Sequence, residues 1–136
     1  MRPRYVWLVC ATAVVIVEVL RTLALRSRLV PPDALDSLRY LLYLVAGTGG
    51  GRLEASGRLR RAVGAGLLAG AITGLVGCIA GRALAWGLGL EPIARTVSPA
   101  VQLVVLCGVM VATAATLGAL GGILGWGVRR AVEPAA

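Results

Sequence analysis

Residues 62–90 read AVGAGLLAGAITGLVGCIAGRALAWGLGL. These 29 residues carry one charge, Arg82, and no proline. A hydrocarbon core is crossed by about 20 apolar residues in a helix, so the stretch is long enough to span a bilayer with tilt. Its glycines recur at a step of four: Gly66, Gly70 and Gly74, then Gly77 and Gly81. A four-residue step returns to one helix face. A face of small residues lets another backbone approach closely, and dispersion then drives helix association in lipid. Residues 100–128 repeat the pattern, with Ala114, Gly118 and Gly122 four apart and Gly121 and Gly125 beside them. The two stretches are expected to pack on each other, as a hairpin or across a subunit interface.

Working outward, Glu91-Pro92 and Ser98-Pro99 bound the loop between them, and Arg129 and Arg130 stop the second. Upstream lies a polar loop, 52–61, with Arg52, Arg58, Arg60 and Arg61. Before it are two more apolar segments. The first, 5–25, is interrupted by Glu18 and Arg21 and flanked by Arg2, Arg4, Arg26 and Arg28. Pro31-Pro32 forbids its continuation, because proline lacks the N–H and restrains its predecessor. The second, 35–51, has Asp33 or Asp36 as a candidate cap and ends in the run Gly47-Thr48-Gly49-Gly50-Gly51. Its charge-free part, Tyr40 to Gly51, is twelve residues, about 18 Å as a helix. That is short for a span. The expected fold is therefore an all-α, polytopic transmembrane helix bundle, one membrane domain over 1–136, with four spans. Three spans plus a re-entrant 35–51 segment is the alternative.

Composition points the same way. Hydrophobic residues make up 58% and charged residues 15%, against about 45–50% and 25% in soluble domains. A soluble chain of 136 residues has too much surface to hide that much apolar material. The net charge is +8, and all fourteen basic residues are arginine. They cluster at the ends of apolar runs, which is the pattern of membrane topology rather than of nucleic-acid binding. Four spans with the N-terminus inside place eight arginines inside and four outside; three spans with it outside place nine and three. Both arrangements put the 52–61 loop and the C-terminus in the cytoplasm. Trp7, Trp86, Trp126 and Tyr5 fall near segment ends, where amphipathic rings anchor at the interface. The N-terminal run is as long as a span, with no convincing small-x-small site closing it before Glu18, so it is expected to remain uncleaved.

Little in the sequence suggests catalysis. There is no histidine, and no nucleophile–base set is visible. Cys10, Cys78 and Cys107 all lie within apolar runs without a CxxC pair, so they are expected to be small packing residues; no disulfide, metal site or cofactor is indicated. Gly64-Ala65-Gly66-Leu67-Leu68-Ala69 matches a nucleotide fingerprint only in letters, since no strand precedes it.

Glu18 is the exception. A carboxylate in the membrane is costly, roughly 2.5–3.5 kcal/mol for Asp at a helix centre, so it needs a partner or a wet cavity. Arg21, three residues on, shares its face, and the expectation is a self-contained Glu18–Arg21 pair with Arg21 reaching outward. A proton- or cation-binding role is the functional alternative, and Arg82, at similar depth, is a second candidate partner. The four arginines of the 52–61 loop can meet anionic lipid head groups, although setting topology is enough to explain them.

The segment Tyr5-Val6-Trp7-Leu8 leading to Val17-Glu18-Val19-Leu20-Arg21-Thr22 resembles the first helix of small multidrug resistance transporters. The resemblance covers some 20 residues and implies a functional glutamate at Glu18 alone. Arg21 departs from that pattern, and the aromatic-lined binding surface of that family has no counterpart. The whole chain looks more like the glycine-rich, four-helix membrane proteins of prokaryotes that have no assigned activity. The expected role is thus a non-enzymatic structural or accessory protein of the prokaryotic inner membrane. It would contact the lipid bilayer, associate with itself or another membrane subunit through its glycine faces, and bind no nucleic acid. A small proton- or cation-coupled transporter using Glu18, or a holin-like pore-forming oligomer, are the rivals.

Overall fold

A computed structural model describes residues 3–27, 31–54, 56–89 and 98–132, the side chains at 3–7, 25 and 32 excepted. Among them there are four α-helices and no strand: α1 (Pro3–Ser27), α2 (Pro32–Leu53), α3 (Leu59–Gly87) and α4 (Pro99–Val132). Prolines open three of the four, where the missing N–H is one the helix leaves unpaired anyway. Pro31 is extended and Asp33 sits in the first turn of α2, where a negative charge meets the positive end of the helix dipole. The Ser98 hydroxyl accepts from the Val101 N–H at 3.3 Å and caps α4. Gly89, with φ of +63°, follows the end of α3, in the left-handed conformation that glycine adopts without penalty.

Helix α2 is 22 residues long, about 33 Å; it contains the expected 35–51 segment, with the glycine run 47–51 inside it. Glycine costs a helix interior roughly 1 kcal/mol per residue, and tertiary contact compensates. A methyl at Gly47 would meet the Gly118 backbone, and one at Gly51 the Gly122 backbone; at Gly50 it would lie 3.0 Å from the Ala65 oxygen. Only glycine lets α2 come so close to both neighbours.

The same close approaches fix the order of the helices. Gly66 faces Gly118 and Gly122, Gly70 faces Ala114 and Gly118, and Gly74 faces Ala114. The positions fall along α3 as they rise along α4, so these helices are antiparallel. Gly121 and Gly125 face α2, at Leu44 and Thr48. Helix α4 thus lies in the groove between α2 and α3. On the opposite side Gly77 and Gly81 face α1, at Val14 and Glu18, so the glycine stripe of α3 serves two neighbours rather than α4 alone. Among the described residues α1 and α4 have no close Cα approach to each other. The chain runs up, down, up, down.

The packing places small residues inside and large ones outside. The centre holds Val14, Tyr43 and Ala114. Leu8, Ile16, Leu41, Leu68, Ile79, Val104, Val109 and Leu124, spread over all four helices, are more than half exposed. Helices α3 and α4 are each long and apolar enough to cross a membrane.

Candidate functional site

Glu18 and Arg21 of α1 face Asp36 and Arg39 of α2. Glu18 is only 2% exposed. Its Oε1 accepts from Arg39 Nη1 at 3.2 Å. Arg39 Nη2 lies 3.2 Å from Asp36 Oδ1, and the same oxygen accepts from Arg21 Nε at 3.0 Å. Charges therefore alternate along Glu18, Arg39, Asp36 and Arg21. Each carboxylate meets at least one guanidinium, which is the condition for burying charge away from water. The Thr22 hydroxyl donates to the Glu18 carbonyl at 2.8 Å within α1. Gly81 makes room for the carboxylate: a methyl there would lie 2.7 Å from Glu18 Oε2.

This corrects the expected Glu18–Arg21 pair. Helical neighbours three apart share a face, but here each finds a closer partner on α2. The reason is register. The pairs Glu18/Arg39 and Arg21/Asp36 are both centred between residues 28 and 29, so an antiparallel hairpin brings each pair to one depth. Arg39 is not among the partners that the sequence suggests for Glu18, and Asp36 stands there only as a candidate helix cap. The available signal was that complementary symmetry about the turn.

Beside the network is a cavity of about 350 Å³, lined by Glu18, Arg21, Arg39 and Arg82 among others. Arg82 thus joins Glu18 at one site, while the ion pair seen from Glu18 goes to Arg39. A second, smaller cavity of about 60 Å³ lies between α2 and α4; it is lined by Arg39, Tyr40, Tyr43, Val109, Met110 and Thr113. Arg39 and Met110 line both. Among the described residues, two buried side-chain polar atoms have no hydrogen-bond partner, Arg39 Nε and the Tyr43 hydroxyl. Among the described residues no cluster of ligands suited to a metal ion occurs.

A second correction concerns the cysteines. Cys78 of α3 and Cys107 of α4 form a disulfide with Cα atoms 5.6 Å apart, and Cys78 lines the larger cavity. Cys10 is free and buried. The spacing offered no CxxC signature, but antiparallel packing of α3 on α4 brings the two positions together.

At the other end of the bundle, Arg52, Arg58, Arg60 and Arg61 are exposed. The loop they flank is tied to α4: Trp126 Nε1 donates to the Gly57 carbonyl at 2.8 Å, and Arg129 donates to the Glu54 carbonyl. The Arg130 guanidinium sits 4.4 Å from the Trp126 ring centre, in cation–π range. Hydrogen bonds from Ser56 hold the Glu54 carboxyl below the usual glutamate pKa. Trp86 is exposed at the end of α3; the side chains of Tyr5 and Trp7 lie outside the described residues.

Comparison with protein families, curated proteins and solved structures finds no match for this chain.

Proposed function

We propose that this chain is a four-span integral membrane protein of structural or accessory type, in which Glu18 is a paired structural residue and not a transport site. The observation that carries the reading is the buried Glu18–Arg39 contact within the alternating network. A carboxylate held by a guanidinium is already neutralised, and a cation would have to displace Arg39 to bind it. The four-span arrangement draws support from the outer surface. Large apolar side chains cover the outward faces of α1 and α2 as well as α3 and α4, while Glu18, Arg21, Asp36 and Arg39 are paired between α1 and α2. Such a distribution is stable where the surroundings are hydrocarbon. The glycine faces are occupied within the chain. Association with a second copy or another subunit would therefore use the apolar outer faces, and the exposed arginines of the 52–61 loop would lie at the lipid head groups on the cytoplasmic side of a prokaryotic inner membrane.

The rival reading, a proton- or cation-coupled transporter, has one observation in its favour, the 350 Å³ cavity at Glu18. Proton and cation flux into proteoliposomes decides between them. The accessory reading expects no flux above empty liposomes for wild type or Glu18→Gln, with the variant less stable. Flux in wild type that Glu18→Gln abolishes overturns it.

A further inference from the structure

We propose that the larger cavity, the one beside Glu18, is a binding site for a phosphate group, held by the guanidiniums of Arg21 on α1 and Arg82 on α3. Both residues line it. Register brings them to one level. Gly77 lies against Val14 and Gly81 against Glu18, both pairs 63 positions apart, so α1 and α3 run parallel here and Arg82 is level with residue 19. That is two residues from Arg21, about 3 Å along the axis. Both side chains keep accessible surface: Arg21 is 30% exposed and Arg82 is half-buried. The hydrogen bond from Arg21 to Asp36 uses Nε, and its Nη–H groups remain for a further acceptor.

Charge, size and depth define the ligand. Glu18 also lines the cavity, but it is almost fully buried and its Oε1 is taken by Arg39, so it offers an incoming cation little surface. The Thr22 hydroxyl is spent on the Glu18 carbonyl. The accessible charges are those of guanidiniums, whose donors fit the several oxygens of a phosphate. A volume of about 350 Å³ is at the small end of ligand pockets, about 300–1,000 Å³. It takes a phosphate or a lipid head group and leaves acyl chains to the apolar outer faces. Helix α3 has 29 residues, about 43 Å, against about 40–45 Å for a bilayer with its head groups. Arg82 is five residues from its end, about 8 Å. On the four-span reading, on which this step alone rests, that is the boundary between head groups and hydrocarbon. The bilayer itself supplies phosphate at that level, and a soluble phosphate offers the same chemistry.

Native mass spectrometry of the full chain in neutral detergent, titrated with phosphatidylglycerol or diacylglycerol, tests the lipid source. Equilibrium dialysis with radiolabelled inorganic phosphate tests the soluble one. Saturable binding of one phosphatidylglycerol per chain is expected, without binding of diacylglycerol. Arg82→Gln should weaken it about tenfold or more, as loss of a hydrogen bond to a charged group does. Arg60→Gln/Arg61→Gln, at the other end of the bundle, should leave it unchanged. Saturable binding of inorganic phosphate that depends on Arg82 supports the site with a soluble ligand. Absence of both in wild type overturns the proposal, as does equal binding of diacylglycerol or equal binding in folded Arg82→Gln. Should Arg82→Gln fail to fold, wild-type crystals soaked in tungstate, a heavy tetrahedral oxyanion, give the answer by anomalous diffraction. A peak between Arg21 and Arg82 supports the site, and its absence there sinks it. The dialysis does not depend on the four-span reading, so failure of that reading and failure of the site are told apart.

Discussion

Replacing Gly118 with alanine tests the packing that organises the bundle. Gly118 is the point where α4 meets both neighbours: α2 at Gly47 and α3 at Gly66 and Gly70. An added methyl would sit 2.8 Å from Gly70 Cα, 3.0 Å from Gly70 N, and closer still to the Gly66 carbonyl oxygen. Ordinary contact begins at 3.4 Å, so α4 must withdraw from α3 by roughly 0.6 Å or more. The atoms in the way are backbone and cannot rotate aside. A radial gap of 0.5–1 Å forfeits about a quarter to a half of each dispersion contact, and overpacking of this kind costs about 1–3 kcal/mol. Alanine recovers up to about 1 kcal/mol through helix propensity. The net expectation for Gly118→Ala is a loss of about 1 kcal/mol or more. Gly108 on the same helix provides the control, because a methyl there meets nothing within 4 Å; Gly108→Ala is expected to be neutral or slightly stabilising. Reversible unfolding of the purified protein in mixed detergent–dodecyl sulfate micelles, followed by helical circular dichroism, measures both. Equal stability of the two variants would refute the argument that backbone contact at Gly118 holds α4 in its groove.

Two further outcomes follow from the polar network and the cysteines. Removing one member of a buried ion pair strands the other, so Glu18→Gln is expected to lower stability by about 3 kcal/mol, at the low end for such pairs. The double variant Glu18→Gln/Arg39→Met should lose clearly less than the sum of its single changes; additive losses in that cycle would mean the contact contributes nothing. For Cys78–Cys107, non-reducing peptide mapping should recover the two helices as one cross-linked species. Cys107→Ser should cost up to about 3.5 kcal/mol from the chain-entropy effect of a bond closing 29 residues; recovery of both cysteines as free thiols from the oxidised protein would show that the bond does not form.

Some of this architecture could be read from register alone. The close approaches Gly66/Gly122, Gly70/Gly118 and Gly74/Ala114 share one centre, residue 94, as an antiparallel hairpin requires, and Cys78/Cys107 falls within two residues of it. Once α3 and α4 are taken as a hairpin, the cysteines are candidates for pairing. The same reasoning about residues 28 and 29 pairs Glu18 with Arg39 and Arg21 with Asp36. The local spacing of Glu18 and Arg21 suggested otherwise, because neighbours on one helix are visible in a linear reading and partners across a turn are not.

By itself the sequence determined that the chain is helical, where its helices begin and end to within a few residues, and that α3 and α4 are apolar enough for a membrane. Those properties depend on local composition: apolar run length, proline and arginine at the boundaries, and small residues at a four-residue step. The tertiary structure decided which backbones the 47–51 glycines of α2 meet, that Gly77 and Gly81 serve α1 and not α4, and that Arg39 is the partner of Glu18. Each of these depends on which backbone comes close to which. A glycine in isolation weakens a helix, and a buried charge in isolation is expelled from it. Only contact with a second helix reverses the sign of both effects.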